Sequence, residues 1–337
     1  MKHDHPRLGL LILRFLSHGA PGWTCGLIIL CASFSIAADQ EPSYNGRLLS
    51  QWLGDMSAMQ LGAGTTGQEP HAEAIRAMGT NAIPTLLRWI SYEGSPSEQS
   101  NGIGTTMSPF AVGRNHTLSP DERARLTEYA FGYLGAVARP GIPELTRLAR
   151  TSSDSWRAKR CAASLANIGP EAIPSLLSLA TNGPPWTRYW ALSMVECFAR
   201  HPAGVQTVPV LIKCLDDRKT HYPVAGAAQG VLIALGPAVT VTALTNALQS
   251  PSAETRLLAF GCLLEWQNEA PTNVPPTLVP VLRAAMRDPD SQVRSTATHI
   301  LRRMGGWELV GEQWVRRHGT NTLHGITPDF FTNAPSR

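Results

Sequence analysis

Gly169-Pro170-Glu171-Ala172-Ile173-Pro174-Ser175-Leu176-Leu177 lies in the middle of the chain, and its second half keeps returning. The phrase Ile/Val-Pro-x-Leu occurs as Ile83-Pro84-Thr85-Leu86, Ile142-Pro143-Glu144-Leu145, Ile173-Pro174-Ser175-Leu176, Val208-Pro209-Val210-Leu211 and Val279-Pro280-Val281-Leu282. A degenerate copy, Val241-Thr242-Ala243-Leu244, fills the one large gap. From Pro143 onward the markers at 143, 174, 209, 242 and 280 are spaced by 31, 35, 33 and 38 residues. Such a period marks an array whose units each bury an apolar face against their neighbours.

Each marker predicts the start of a second helix. Proline suits a helix's first turn because its missing N–H would have no partner there. Leucines then follow at helical spacing, as Leu176, Leu177 and Leu179 or Leu211, Ile212 and Leu215. A glycine stop precedes the proline at Gly79, Gly135, Gly169 and Gly236, and upstream of it lies an Ala-rich first helix such as Ala158 to Ile168 or Ala225 to Leu235. No segment keeps up strand alternation, so the fold class is all-α, an α-solenoid of about six to seven helix-turn-helix units. Asp288-Pro289-Asp290-Ser291-Gln292-Val293-Arg294 opens the last unit with good N-caps, and an Arg one turn in can reach acids or carbonyls of the adjoining turn. Arg256 and Arg188 hold comparable places, and Arg157 is their counterpart about one residue out of phase.

The run D-P-D-x-x-V-R-x-x-A, a glycine stop and A-I-P-x-L-L together resemble the HEAT-repeat family, in particular its short bacterial variety, similar to the repeats of phycobilisome lyases. The resemblance covers roughly residues 71–306. Tyr44 to Leu53, followed by Ile75-Arg76-Ala77-Met78-Gly79, also looks like the opening of exported bacterial HEAT proteins. It implies an interaction scaffold, and as an alternative a lyase-like or enzyme-accessory protein using the same groove.

The chain has 337 residues, 43% of them hydrophobic and 16% charged, which suits a folded chain. Residues 1–37 read as a signal peptide. Lys2, Arg7 and Arg14 form a positive region, Gly26 to Phe34 an apolar core and Ser35-Ile36-Ala37 a small-x-small cleavage site. The expected destination is therefore the periplasm or cell envelope, with a retained anchor as the alternative. Neither this run nor the shorter one from Leu8 to Leu13 reaches the roughly 20 residues a spanning helix needs. Without the leader the chain keeps 26 basic against 24 acidic side chains, too even a balance to argue for nucleic acid. Residues 38–70 are expected to hold a leader helix and linker. Residues 93–120 are a Gly/Ser/Thr/Asn-rich loop insertion in the solenoid, and 307–337 a capping helix with an irregular tail.

Nothing in the sequence requires chemistry. Gly62-Ala63-Gly64-Thr65-Thr66-Gly67 fits G-x-G-x-x-G, yet no strand precedes it, so it reads as linker. Phosphate-loop, G-x-S-x-G and H-E-x-x-H motifs are missing from the sequence, and so is the His-Glu dipeptide that iron-dependent enzymes on this scaffold carry. Cys161, Cys197, Cys214 and Cys262 form no C-x-x-C and are expected to be buried free thiols in apolar helices. Cys161 and Cys197 occupy similar places on successive helices, but helix axes lie farther apart than a disulfide spans. No catalytic residue, metal site or cofactor is expected.

Binding remains. Second helices of such arrays line the concave side. Four residues past each marker stand Arg88, Arg147, Ser178, Lys213 and Asn246, until Ala284 ends the polar run. These five residues are the candidate partner site, a polar, partly basic ridge for an unknown protein or peptide on a monomeric scaffold. Trp156, Trp186, Tyr189 and Trp190 cluster near starts of first helices and read as core and edge packing.

Overall fold

The computed structural model describes residues 41–59, 70–93, 117–217, 224–270, 273–305, 307–310 and 313–316. A two-stranded antiparallel pair, β1 (Ser43–Tyr44) and β2 (Arg47–Leu48), leads into α1 (Leu49–Met59). Helix pairs then follow in order: α2 (Pro70–Met78) with α3 (Ile83–Ile90), α4 (Pro120–Leu134) with α5 (Ile142–Arg150), and α6 (Ser155–Ile168) with α7 (Ile173–Asn182). Next come α8 (Pro185–Val195) with α9 (Val208–Cys214), α10 (Val224–Leu235) with α11 (Pro237–Ala247), and α12 (Ala253–Glu269) with α13 (Val279–Ala285). α14 (Ser291–Met304) and an antiparallel pair, β3 (Trp307–Val310) and β4 (Gln313–Arg316), complete the order.

The first helices stack as α2–α4–α6–α8–α10–α12–α14, and the second helices α5–α7–α9–α11 form a parallel layer beside them. Each second helix also packs against the first helix of the following pair, α3 on α4, α5 on α6, α7 on α8, α9 on α10, α11 on α12 and α13 on α14, the pair-to-pair contact pattern of an α-solenoid. The core runs along the seam between the layers. Phe131, Phe260 and Trp266 are its bulkiest fully buried side chains, set among leucines from both layers. Each such burial contributes about 2–3 kcal/mol. At the N-terminal end α1 covers α2 and α4, and at the C-terminal end β3 lies against α14.

The marker phrase works as the sequence suggests. α3, α5, α7, α9 and α13 each begin at the Ile or Val of the phrase, with the proline as the second residue. A short 3-10 segment precedes each of them. The glycine stops Gly79, Gly135, Gly169 and Gly236 all have positive φ, a backbone state that L side chains rarely adopt. The degenerate unit differs. With Thr242 in the proline's place, α11 starts directly at Pro237 and runs through Val241 without a 3-10 prelude. A proline at 242 would remove an N–H and clash with the preceding turn, so the helix restarts only where the proline is present.

Polar side chains link the units at the turns. Asp154, Ser252 and Asp290 cap α6, α12 and α14 through their side chains, and Ser119 forms a full capping box with Glu122 at α4. One turn in, Arg256 donates to Ser250 O (2.7 Å) and Asp288 Oδ1 (2.7 Å), which joins the turns on either side of its unit. Arg188 does the same with Ala180 O (2.8 Å) and Asp217. Arg294 donates to Asp288 O (2.8 Å). Arg157 reaches back to Ser152, Thr151 and Ser91 and pairs with Glu93 (2.7 Å).

A second set of bonds joins the first helices directly. Asn167 donates to Glu128 O (2.8 Å), Gln229 to Leu258 O (2.9 Å), Trp266 to Ile233 O (3.1 Å) and Gln267 to Ile300 O (2.9 Å). Gly261 makes the Gln229 contact possible, because a Cβ there would stand 2.2 Å from the Gln229 amide nitrogen.

Two expectations change. The capping helix expected over 308–317 is a β-hairpin. Val310 pairs with Gln313, which leaves two residues for the turn, and Gly311-Glu312 has the glycine that such turns favour in first place. Aromatic and β-branched residues flanking that glycine favour strands over helix. The all-α solenoid expectation holds, with this hairpin and β1–β2 as two short strand pairs beside the helical array. Cys197 is exposed, unlike Cys161, Cys214 and Cys262, because it lies in the 3-10 turn Glu196–Phe198 beyond α8. The signal segment 1–37, the linker motif at Gly62–Gly67, nearly all of the 93–120 insertion and the tail beyond 316 lie outside the described residues.

Candidate partner-binding face

The second helices turn their leucines inward and leave one column facing solvent. Arg88 on α3, Arg147 on α5, Lys213 on α9 and Asn246 on α11 are exposed, and Ser178 on α7 is half-buried at the equivalent place. The repeat fixes this. In every unit the fourth residue after the marker falls on the face opposite Leu86, Leu145, Leu176, Leu211 and Leu244, all fully buried.

Ser178 interrupts the positive charge of the column only in the sequence. Arg150, at the end of α5, extends across to α7 and donates from Nη2 to Ser178 Oγ at 3.1 Å. A guanidinium thus stands where α7 has no cation of its own. The sequence reading missed Arg150 because it belongs to a different register of its helix, three residues beyond Arg147. Only the approach of α7 brings it into the column.

The acids close to this face are accounted for by contacts. Glu144 accepts from Arg147 Nε (2.8 Å) and Nη2 (2.6 Å) within α5, which holds its carboxyl below the usual range. Both partners are well exposed, 59% for Arg147 and 41% for Glu144, so the pair contributes little to stability. Glu93, Asp217 and Asp288 pair with Arg157, Arg188 and Arg256 at the turns. Asp216 accepts from Thr255 Oγ1 at 2.8 Å. First-helix arginines thus neutralise the turn acids Glu93, Asp217 and Asp288, whereas the Thr255 hydroxyl leaves Asp216 its charge; in the column itself Arg88, Arg147, Arg150 and Lys213 outnumber Glu144.

A second rail runs beside it. Pro84, Pro143, Pro174 and Pro209 are exposed, one helical turn before Arg88, Arg147, Ser178 and Lys213. On α11 the proline is replaced by Thr242 and the cation by Asn246, so both rails are broken at the same helix; on α13 the exposed proline returns as Pro280 with Ala284 in the cation's place.

On the first-helix side, Lys159 Nζ sits 5.3 Å from the Trp156 ring centre and 5.5 Å from that of Trp190. Trp190 meets Tyr189 edge to face and donates to Ser155 Oγ at 3.1 Å. Trp156 is 45% exposed, so the expected edge packing describes Trp190 better than Trp156. Burial pushes the Glu128 carboxyl up, against the pull of Lys159 and Arg160. Among the described residues no group of three or more His, Cys, Asp or Glu is arranged to hold a metal ion. No described helix is long and apolar enough to cross a membrane.

No protein-family model matches the chain, and no curated protein matches it. Among solved structures it is similar to a designed armadillo repeat protein in complex with the peptide (KR)4, at 15% identity and TM-score 0.33, over 66% of this chain and 98% of that one. It is also similar to the complex of CpcE and CpcF of phycocyanin lyase from Nostoc sp. PCC7120, at 19% identity and TM-score 0.30, over 54% and 71%. A third is Kap121p bound to RanGTP, at 12% identity and TM-score 0.37, over 74% of this chain and 29% of that one. These likenesses are too slight to carry a function across. The α-solenoid assignment rests on the stacking of the chain's own helix pairs.

Proposed function

We propose that this chain is a non-enzymatic interaction scaffold that holds an acidic segment of a partner protein on its second-helix face. The observation that carries the reading is the column formed by Arg88 on α3, Arg147 on α5, Arg150 reaching from α5 to Ser178 on α7, and Lys213 on α9, so that a cation stands at each of four successive second helices although α7 supplies none itself. Exposed cations aligned on a rigid array attract and orient an anionic partner without any change in the core. Export to the periplasm or cell envelope belongs to the same proposal and rests on residues 1–37.

The test is reversal of charge at Arg88, Arg147 and Lys213 to Glu in one variant, followed by quantitative capture of partners from envelope extracts. Partner recovery is expected to fall about tenfold or more while the thermal melt stays unchanged. An unchanged partner list rejects the column. N-terminal sequencing of the mature chain from its native host tests export, with a start near Ala38 as the expected result.

A further inference from the structure

We infer that the occupant of this face is a polyproline-II segment with an acidic side chain at every third residue; the inference rests on the second-helix reading above. Its first support is spacing. α5, α7 and α9 pack side by side, and packed helix axes lie about 8–10 Å apart. Equivalent residues such as Arg147, Ser178 and Lys213 therefore recur at roughly that interval. A polyproline-II chain has three residues per turn and rises about 3.1 Å per residue, so one edge of it recurs about every 9.3 Å. A β-strand repeats its face about every 6.7 Å and loses register after one step.

Backbone chemistry points the same way. A strand-like ligand needs a sheet edge to pair its N–H and C=O groups. Helices α5, α7 and α9 bond their backbone internally and offer no edge. A polyproline-II backbone stays hydrated and needs none. An amphipathic helix would need an apolar groove, yet among the described residues the exposed large hydrophobics are Leu48, Tyr129, Val137, Trp156 and Val205, and none is on these second helices.

The two rails match the cross-section of such a ligand. Residues four apart on a helix stand about 5–6 Å from each other, which sets the prolyl rings of Pro143, Pro174 and Pro209 beside the cations. A three-sided ligand lays one edge of carboxylates on Arg147, Arg150 and Lys213 and a neighbouring apolar edge on those rings. α3 joins the row through its N-terminal end, where a methyl on Gly141 would lie 3.3 Å from Ile83 Cγ2. Four helices set a ligand of about ten to twelve residues. Both rails are broken at α11, which bounds the row from the other side, and although Pro280 is exposed on α13 the cation's place there holds Ala284.

The experiment uses the full chain at about 50 mM salt with two fluorescent peptides of one composition, (Pro-Pro-Glu) repeated four times and an isomer with its four Glu consecutive. Anisotropy titration is expected to give the period-three peptide at least about tenfold tighter binding. Arg147→Glu and Lys213→Glu are each expected to weaken it by a similar factor. Replacing Pro143, Pro174 and Pro209 with Ala should weaken it several-fold while the chain remains folded at the assay temperature, as checked by its thermal melt. Equal affinity for the two peptides overturns the polyproline register and leaves the cation column standing. No binding of either peptide overturns the column together with it.

Discussion

Arg256 and Asp288 show how single residues join the units. The pair is 2.7 Å apart with side chains only 10% and 9% exposed, so removing one partner strands the other charge. Asp288→Ala is expected to cost about 3 kcal/mol, measured by urea unfolding, with Arg256→Ala/Asp288→Ala losing less than the sum of the single changes. Burial by itself raises the Asp288 carboxyl pKa. Hydrogen bonds from Arg256 and the Asp290 N–H, with the charges of Arg256 and Arg294, outweigh it and hold the pKa below the usual value. A carboxyl depressed in the folded state contributes stability that is complete above its unfolded pKa, about 3.9, and is lost as pH falls through the folded one. Stability is therefore expected to drop below about pH 4, and Asp288→Asn should flatten that acid limb. Cysteines give a separate readout. Burial pushes the thiols of Cys161 and Cys262 up to about 12 and raises that of Cys214, so among these four, alkylation at pH 8 should label only Cys197 in the native chain and all of them in urea. Arg188, Arg256 and Arg294 were legible as turn-binding residues because each sits one turn past a cap. Arg150 was not, since its role depends on the distance to a neighbouring helix.

At the level of elements, the degenerate unit offers the sharpest comparison. Restoring the marker phrase by Thr242→Pro looks like a repair in the sequence and is a break in the helix. α11 runs from Pro237 to Ala247, so a proline at its sixth residue removes a helical hydrogen bond and meets the carbonyl of Ala238. The variant is expected to lose about 3 kcal/mol, whereas Pro209→Ala, in a helix's first turn, should lose less than about 1 kcal/mol. Urea titrations of the two variants check this, and a stabilised Thr242→Pro chain would contradict it. Helix starts were readable because proline and glycine act locally. The end of the array was not read correctly. Trp307 to Arg316 carries apolar residues compatible with either period over so short a run, and the glycine between its halves decides for a hairpin.

Across the whole molecule, each unit meets chiefly its neighbours, with the contacts of Arg157 to Ser91 and Glu93 as a bridge over one unit, so stability is expected to be graded along the array. α6 packs against α4, α5, α7 and α8, whereas α14 has α12 and α13 with a small hairpin. Amide hydrogen exchange should be slowest in α6 and α8 and faster in α1, α2 and α14. Uniform protection from end to end would show a single cooperative unit instead. The sequence by itself determined the repeat, the helix starts, the inward leucines and the exposed position four residues past each marker, because those follow from proline chemistry and a 3.6-residue period. Tertiary structure alone decided that Arg150 completes the cation column, that turn acids are engaged by first-helix arginines and Thr255, and that prolines form a second rail. Local rules fix which way a side chain leaves its own helix. What it meets depends on how closely the next helix packs, and that is set by contacts between residues roughly thirty positions apart in the chain.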